Sequence, residues 1–170
     1  ESGAGVASGI SDADYAAAGA RVLEEAGRVY REAELLVKVQ GPVPEEHPRL
    51  REDLILMAFL SLPVNPALME ALLASRCVAF AMEAIRDGRG RLPVLTPMSE
   101  IAGRLVPQIG AHYLQRQSGG RGILLGGATG VLPGRVVILG SGIVGTAAAR
   151  VASGLGAETV VVDRDLDRLR

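Results

Sequence analysis

A single cysteine, Cys77, in 170 residues permits no internal disulfide and fits a cytoplasmic setting. Tryptophan is absent, and aromatic residues make up only 3% of the chain. The 48% hydrophobic content therefore rests on Ala, Val, Leu and Ile, which suits an α/β protein with buried parallel strands. No apolar run reaches the roughly 18 residues that a membrane helix needs, so no span is expected. An excess of either charge is also missing: 18 basic and 19 acidic residues give a formal net charge of −1. With no basic patch or arm, no nucleic-acid partner is expected. No cluster of metal-ligating residues stands out, and no internal repeat appears at solenoid period. The chain opens Glu1-Ser2-Gly3, with neither Met nor a signal peptide.

What is present concentrates in residues 135–163. Arg135-Val-Val-Ile-Leu139 reads as a strand, Gly140-Ser-Gly142-Ile-Val-Gly145 as a glycine turn, and an alanine-rich run as a helix. Thr159-Val-Val-Val-Asp163 reads as a second strand with an acid at its tip. Each part has a job in holding a dinucleotide. Gly140 allows a tight turn, Gly142 lets a pyrophosphate approach the backbone, and Gly145 lets the helix pack on the strand. Free N–H groups at the helix start face the phosphates. Asp163 is placed to accept hydrogen bonds from the adenosine ribose hydroxyls. It favours NAD, because a carboxylate repels a 2′-phosphate, while the adjacent Arg164 leaves NADP open. The bland alternative is a glycine turn in an ordinary parallel sheet.

Upstream, strands and helices alternate. Ser11-Asp-Ala-Asp14 caps a short helix, a second helix spans about 24–32, and Leu35-Leu-Val-Lys-Val39 is a strand. Pro42, Pro44 and Pro48 punctuate a loop, and Leu54 to Phe59 is the next buried strand. Asn65-Pro66 opens a helix to about Ser75. Cys77 to Met82 is a further strand, which places Cys77 as a buried thiol. Thr96-Pro97 opens a longer helix towards Gln115, with Pro107 as a kink. Ser118 to Gly130 holds six glycines and reads as a connecting loop, the alternative being a close backbone approach to a ligand or partner chain. The alternation argues a parallel, doubly wound sheet. The chain stops at Arg170, just after the second strand of a βαβ unit. A complete dinucleotide fold needs more strands, so a segment of a longer protein is expected.

The order of these pieces resembles the alanine dehydrogenase / pyridine nucleotide transhydrogenase family. The resemblance is carried by Gly3-Ala-Gly-Val-Ala-Ser-Gly-Ile-Ser-Asp12, Leu36-Val-Lys-Val39, Leu95-Thr-Pro-Met-Ser-Glu100, Gly110-Ala-His-Tyr113, Gly119-Gly-Arg-Gly122 and Val136 to Arg170. It looks closer to the alanine dehydrogenase branch, especially in Pro97-Met-Ser-Glu100 and Asp163-Arg-Asp-Leu-Asp-Arg168. It implies two doubly wound (Rossmann-like) parallel-sheet domains, both incomplete here: a substrate domain over 1–94 and an NAD-binding domain over 95–170. It implies a missing N-terminal strand, a missing C-terminal half and a homo-oligomer. The implied activity is oxidation of L-alanine to pyruvate and ammonia with NAD, so the implied ligands are an amino acid or 2-oxo acid and the cofactor. The cofactor contacts implied are Ser99, Gly140, Gly142, Ile143, Val144, Gly145, Asp163 and Arg168. Ser99 reads equally as a helix-start residue satisfying backbone N–H groups.

Two positions depart from the pattern. The family typically carries Lys-Val-Lys-Glu-Pro, whose second lysine binds the substrate carboxylate; this chain has Lys38-Val-Gln40-Gly41-Pro42. Gln40 donates a hydrogen bond but brings no charge. The family's Phe-x-x-Leu-His-Leu supplies an acid/base histidine; this chain has Phe59-Leu-Ser61-Leu62. An unassisted serine does not exchange protons usefully near pH 7. Lys38 shares a strand face with Gln40 by simple alternation and is a possible substitute cation; otherwise it is a solvated edge lysine. Neither His47 nor His112 sits at the lost histidine's position, and His112, on a helix beside Tyr113, reads as a structural or surface residue rather than a base. Pro63-Val-Asn65-Pro66-Ala-Leu-Met69 resembles the transhydrogenase branch instead. Three functions follow: an amino-acid dehydrogenase of alanine dehydrogenase type, an NAD(H)-binding transhydrogenase component, or a non-catalytic NAD-binding homologue.

Overall fold

The computed structural model describes residues 1–169 and divides into two compact units, Glu1–Arg89 and Gly90–Arg170. The first unit opens with α1 (Asp12–Ala17), where Ser11 and Asp14 form a reciprocal capping box. Then come α2 (Ala26–Glu32), β1 (Leu35–Gln40), β2 (Ile55–Phe59), α3 (Pro66–Ser75) and β3 (Val78–Ala81). The three strands form one parallel sheet in the order β1-β2-β3. The proline-rich link between β1 and β2 winds into a 3-10 turn over Pro44–Arg49. Asn65 caps α3 through its side chain, accepting from the Leu68 N–H at 3.3 Å, and Pro66 follows at the first helical position.

The period-2 pattern of the strands sorts their side chains. Leu36, Leu56 and Ala58 turn inward, where Leu54, Leu60, Leu68 and Leu72 join them with Tyr30. Leu54, Leu56 and Leu68 are fully buried, and each contributes about 1.5–3 kcal/mol by leaving water. The alternate residues Leu35, Val37, Val39, Ile55, Val78 and Phe80 are exposed. Two expectations need correction. Cys77 precedes β3 and is half-buried rather than a buried strand thiol. The left-handed turn at Arg76 (φ +55°) that ends α3 delays the strand. Simple alternation also fails between Lys38 and Gln40. Val37 pairs with Met57 but Gln40 with Phe59, so β1 carries one extra residue there.

The second unit comprises α4 (Leu95–Tyr113), β4 (Arg135–Leu139), α5 (Ile143–Gly154) and β5 (Glu158–Val162). Strands β4 and β5 pair in parallel from Arg135↔Glu158 to Leu139↔Val162. Helix α4 begins at Leu95, before the expected Thr96-Pro97 start, and Thr96 Oγ1 instead donates back to the Leu92 carbonyl at 2.8 Å. Pro97 falls in the first turn, whose N–H groups have no partner in the helix, so it does no harm there. The helix runs unbroken through Pro107. Gly103 of α4 meets α5 so closely that a Cβ on it would lie 2.3 Å from the Val144 carbonyl oxygen. The glycine-rich link does hold close approaches, but to the chain's own backbone. A Cβ on Gly120 would meet the Tyr113 carbonyl oxygen at 2.2 Å, and one on Gly126 the Leu155 carbonyl oxygen at 2.5 Å. Among the described residues, no helix is long and apolar enough to cross a membrane.

Candidate functional site

The turn between β4 and α5 has the geometry its glycines allow. Gly140 has φ +100°, a conformation glycine adopts without steric cost. A Cβ on Gly145 would lie 1.9 Å from the Gly140 carbonyl oxygen, so the helix seats directly on the turn. Around Gly142 the space is open, with nothing within 4 Å of a built Cβ. Gly142 is the N-cap of α5 and no side chain caps it, which leaves N–H groups of the first turn for the oxygens of a ligand. Ile143 and Val144 form that first turn and are exposed. An open cleft of about 860 Å³ adjoins the turn, lined by Ser141, Gly142, Arg168 and the side chains Glu100, Arg104 and Arg150. These residues fit a pyrophosphate: a close backbone, free donors and nearby cations.

Asp163 stands beyond the end of β5, beside the turn. Its Oδ2 accepts from the Ser141 N–H at 2.6 Å and the Ser141 hydroxyl at 2.7 Å, and its Oδ1 accepts from the Asp165 N–H at 2.9 Å. The Ser141 N–H, the Asp165 N–H and the Ser141 hydroxyl together hold this carboxyl far below the ordinary carboxylate range. Thr146 Oγ1 donates to the Ser141 carbonyl at 2.9 Å and ties the turn to the helix. Arg168 pairs with Asp165 at 3.1 Å, and Arg164 is exposed. Ser99 lies on α4, half-buried, in its second turn and thus past the free N–H groups of the helix start.

The substrate-side positions all fall in the first unit. Gln40 ends β1 and is exposed. Ser61 follows β2, exposed, with φ +47° and ψ +41°. The Glu83 carboxylate holds that left-handed turn, accepting from the Leu60 N–H at 3.1 Å and the Ser61 N–H at 2.7 Å. Lys38 is not a solvated edge residue. Its ammonium donates to the Glu46 carboxylate, and it lies 5.9 Å from the Tyr30 ring centroid. Burial pushes the Glu46 carboxyl up, but hydrogen bonds from Lys38 and the Val43 N–H outweigh it and set the group below its ordinary value. Burial, with the charge of Glu46 beside it, pushes the Tyr30 hydroxyl well up. His47 Nε2 lies 3.3 Å from the Pro42 carbonyl, and His112 Nε2 lies 3.2 Å from Ser118 Oγ.

The structure thus gathers Gly140, Gly142, Ile143, Val144, Gly145, Asp163 and Arg168 around one turn. It also reveals Ser141, Glu46 and Glu83, which the motif reading passed over. Ser141 lies inside the glycine motif and was in view. Glu83 is 22 residues from Ser61, and no local pattern joins them.

Sheet, turn and helix together define a Rossmann-like α/β protein. Residues 1–102 match the alanine dehydrogenase/PNT N-terminal domain, and residues 106–170 match the alanine dehydrogenase/PNT C-terminal domain. The chain belongs to the alanine dehydrogenase/PNT family. It is 47% identical to an alanine dehydrogenase of Mycobacterium tuberculosis over 170 residues, covering all of this chain and 46% of that protein. It is 46% identical to an alanine dehydrogenase of Bacillus subtilis, covering 44% of it. The chain spans about half the length of the curated relatives it matches. Among solved structures, an L-alanine dehydrogenase superposes with a TM-score of 0.88 at 46% identity, over 99% of this chain and 46% of that one. A transhydrogenase from Sinorhizobium meliloti superposes with a TM-score of 0.77 at 26% identity, over 98% of this chain and 49% of that one.

Proposed function

We propose that this chain serves an NAD-dependent amino-acid dehydrogenase of the alanine dehydrogenase type, acting as a homo-oligomer in the cytoplasm. In the reaction, L-alanine, NAD and water give pyruvate, ammonia and NADH. Residues 95–170 belong to the NAD-binding part and residues 1–94 to the substrate part. The observation that carries the reading is the turn at Gly140–Gly145, closed on its inner side and open at Gly142 beside an acid. When bound there, NAD supplies the hydride acceptor. The first-turn N–H groups of α5 hold the pyrophosphate, Asp163 holds the adenosine ribose, and Ser99 and Arg168 contact the cofactor. On the substrate side, Gln40 and Ser61 stand where the family has its lysine and histidine. Gln40 donates a neutral hydrogen bond to the carboxylate of the amino acid or 2-oxo acid, and Lys38 is the candidate replacement cation.

One observation favours a second reading. Lys38 is engaged by Glu46, and neither Gln40 nor Ser61 brings a charge or a base. That arrangement suits a chain that binds NAD(H) without turning over an amino acid, either as a transhydrogenase component or as a non-catalytic homologue. An absorbance assay at 340 nm on the full-length protein, with NAD and a panel of L-amino acids and run beside NAD-binding calorimetry, separates the two. NADH formation with alanine supports the first reading. NAD binding without turnover sinks it in favour of the second. Replacing Gln40→Lys and Ser61→His together in the full-length protein should raise alanine oxidation; a folded, NAD-binding double variant with no gain would overturn the assignment of those two positions.

A further inference from the structure

Asp163 is expected to recognise the two hydroxyls of an adenosine ribose, yet most of its accepting capacity is already used. A carboxylate offers about four acceptor positions. Ser141 fills two of them on Oδ2, one through its N–H at 2.6 Å and one through its hydroxyl at 2.7 Å, and the Asp165 N–H at 2.9 Å takes a third on Oδ1. A ribose diol brings two donors to the one position left. The two backbone donors are fixed: the Ser141 N–H shares its peptide with the Gly140 carbonyl, which is held against α5 so closely that a Cβ on Gly145 would lie 1.9 Å from it, and Asp165 is the next residue but one after Asp163. Only the Ser141 hydroxyl moves freely, by rotation about its Cα–Cβ bond. Ser141 lines the cleft beside the turn, so its hydroxyl has space into which to swing.

We infer that the Ser141 hydroxyl competes with the adenosine ribose for Asp163, and so sets how tightly this turn holds a nucleotide. This rests on the nucleotide-binding reading of the turn. In the free protein, the Ser141 hydroxyl stands in for one ribose hydroxyl. A bound nucleotide must displace it to engage both carboxylate oxygens. The hydroxyl thus lowers affinity without touching the reacting atoms, and its effect depends on the ribose rather than on the phosphates.

The test is calorimetric titration of the wild-type protein and Ser141→Ala with ADP and with 2′,3′-dideoxy-ADP. Removing the competitor should tighten ADP about three- to tenfold, the size of one net hydrogen bond. The dideoxy analogue, which has no diol, should bind both proteins alike. Ser141→Cys, whose thiol is a weak donor, should move the same way by less. Unchanged or weaker ADP binding by Ser141→Ala overturns the inference while leaving the nucleotide site standing. So does an equal gain with the dideoxy analogue. If the wild type binds neither ADP nor NADH, the reading of the turn itself fails and the inference falls with it.

Discussion

Ser61 shows how a single residue departs from what its neighbours dictate. Its left-handed conformation costs a non-glycine residue about 1–2 kcal/mol and persists only where other contacts compel it. The compelling contact is the Glu83 carboxylate, which takes the N–H groups of both Leu60 and Ser61. Leu60 is only 2% exposed, so its N–H has no easy recourse to water. Glu83→Ala should therefore destabilise the protein by about 1–3 kcal/mol, the range for a buried donor left unmet. Urea unfolding measures this directly, and a change below a few tenths of a kcal/mol would show that the carboxylate holds nothing. The serine was legible in the sequence as standing where the family resemblance implies a histidine. Its backbone strain and its distant carboxylate were not, because both come from a segment that meets it only after β3 has paired with β2.

At the scale of elements, the strands and helix caps were readable because their signals are local. Ser11 with Asp14, and Asn65 with Pro66, carry their capping chemistry within one turn. The glycine motif likewise encodes a turn whose parts are neighbours in the chain. Packing between helices is different. Gly103 sits in the middle of α4, where glycine costs about 1 kcal/mol relative to alanine in helix propensity. The structure gives it a purpose: it admits α5, with Ala147 on the facing turn. A Cβ there would lie 2.7 Å from the Ala147 Cβ and 2.3 Å from the Val144 carbonyl oxygen. Gly103→Ala should thus lower stability despite its better propensity, by about 1–3 kcal/mol for overpacking. Thermal unfolding checks the sign, and a stabilised variant would mean that α4 shifts away freely. Because Val144 lies in the first turn of the helix that follows the glycine turn, the proposed nucleotide site predicts that the same variant also weakens NADH binding.

For the whole molecule, the shifted groups define a window of stability. Asp12, Asp14, Glu32, Glu46, Asp53 and Asp163 all have folded-state values below the ordinary carboxylate range. Each holds its proton less tightly when folded than when unfolded. Their contribution is present above about pH 4.5 and is lost as the pH falls through the folded values. Tyr30 works in the opposite sense, since burial raises its folded value. Its contribution is present below about pH 10 and is lost as the pH rises beyond that. Urea midpoints measured from acid to alkaline pH should show a plateau that falls on both sides. Tyr30→Phe should flatten the alkaline side. A fall that survives in that variant would assign the alkaline limit to another group.

The sequence by itself determined the βαβ order, the two helix caps and the glycine turn with its acid. These depend on residues within a few positions of one another, where periodicity, glycine and proline act directly on the backbone. Only the tertiary structure decided which side chains are spoken for. Lys38 looked like a solvated lysine on an evenly pleated strand, but the extra residue in β1 and the turn over Pro44–Arg49 bring its ammonium to Glu46. Asp163 looked like a free acceptor, but the tight turn at Gly140 carries Ser141 onto its carboxylate. Hydrogen bonds and ion pairs form between groups that folding brings within about 3 Å. For Glu83 with Ser61, and for Ser141 with Asp163, that meeting spans 22 residues of chain and exists only once the parallel strands have paired.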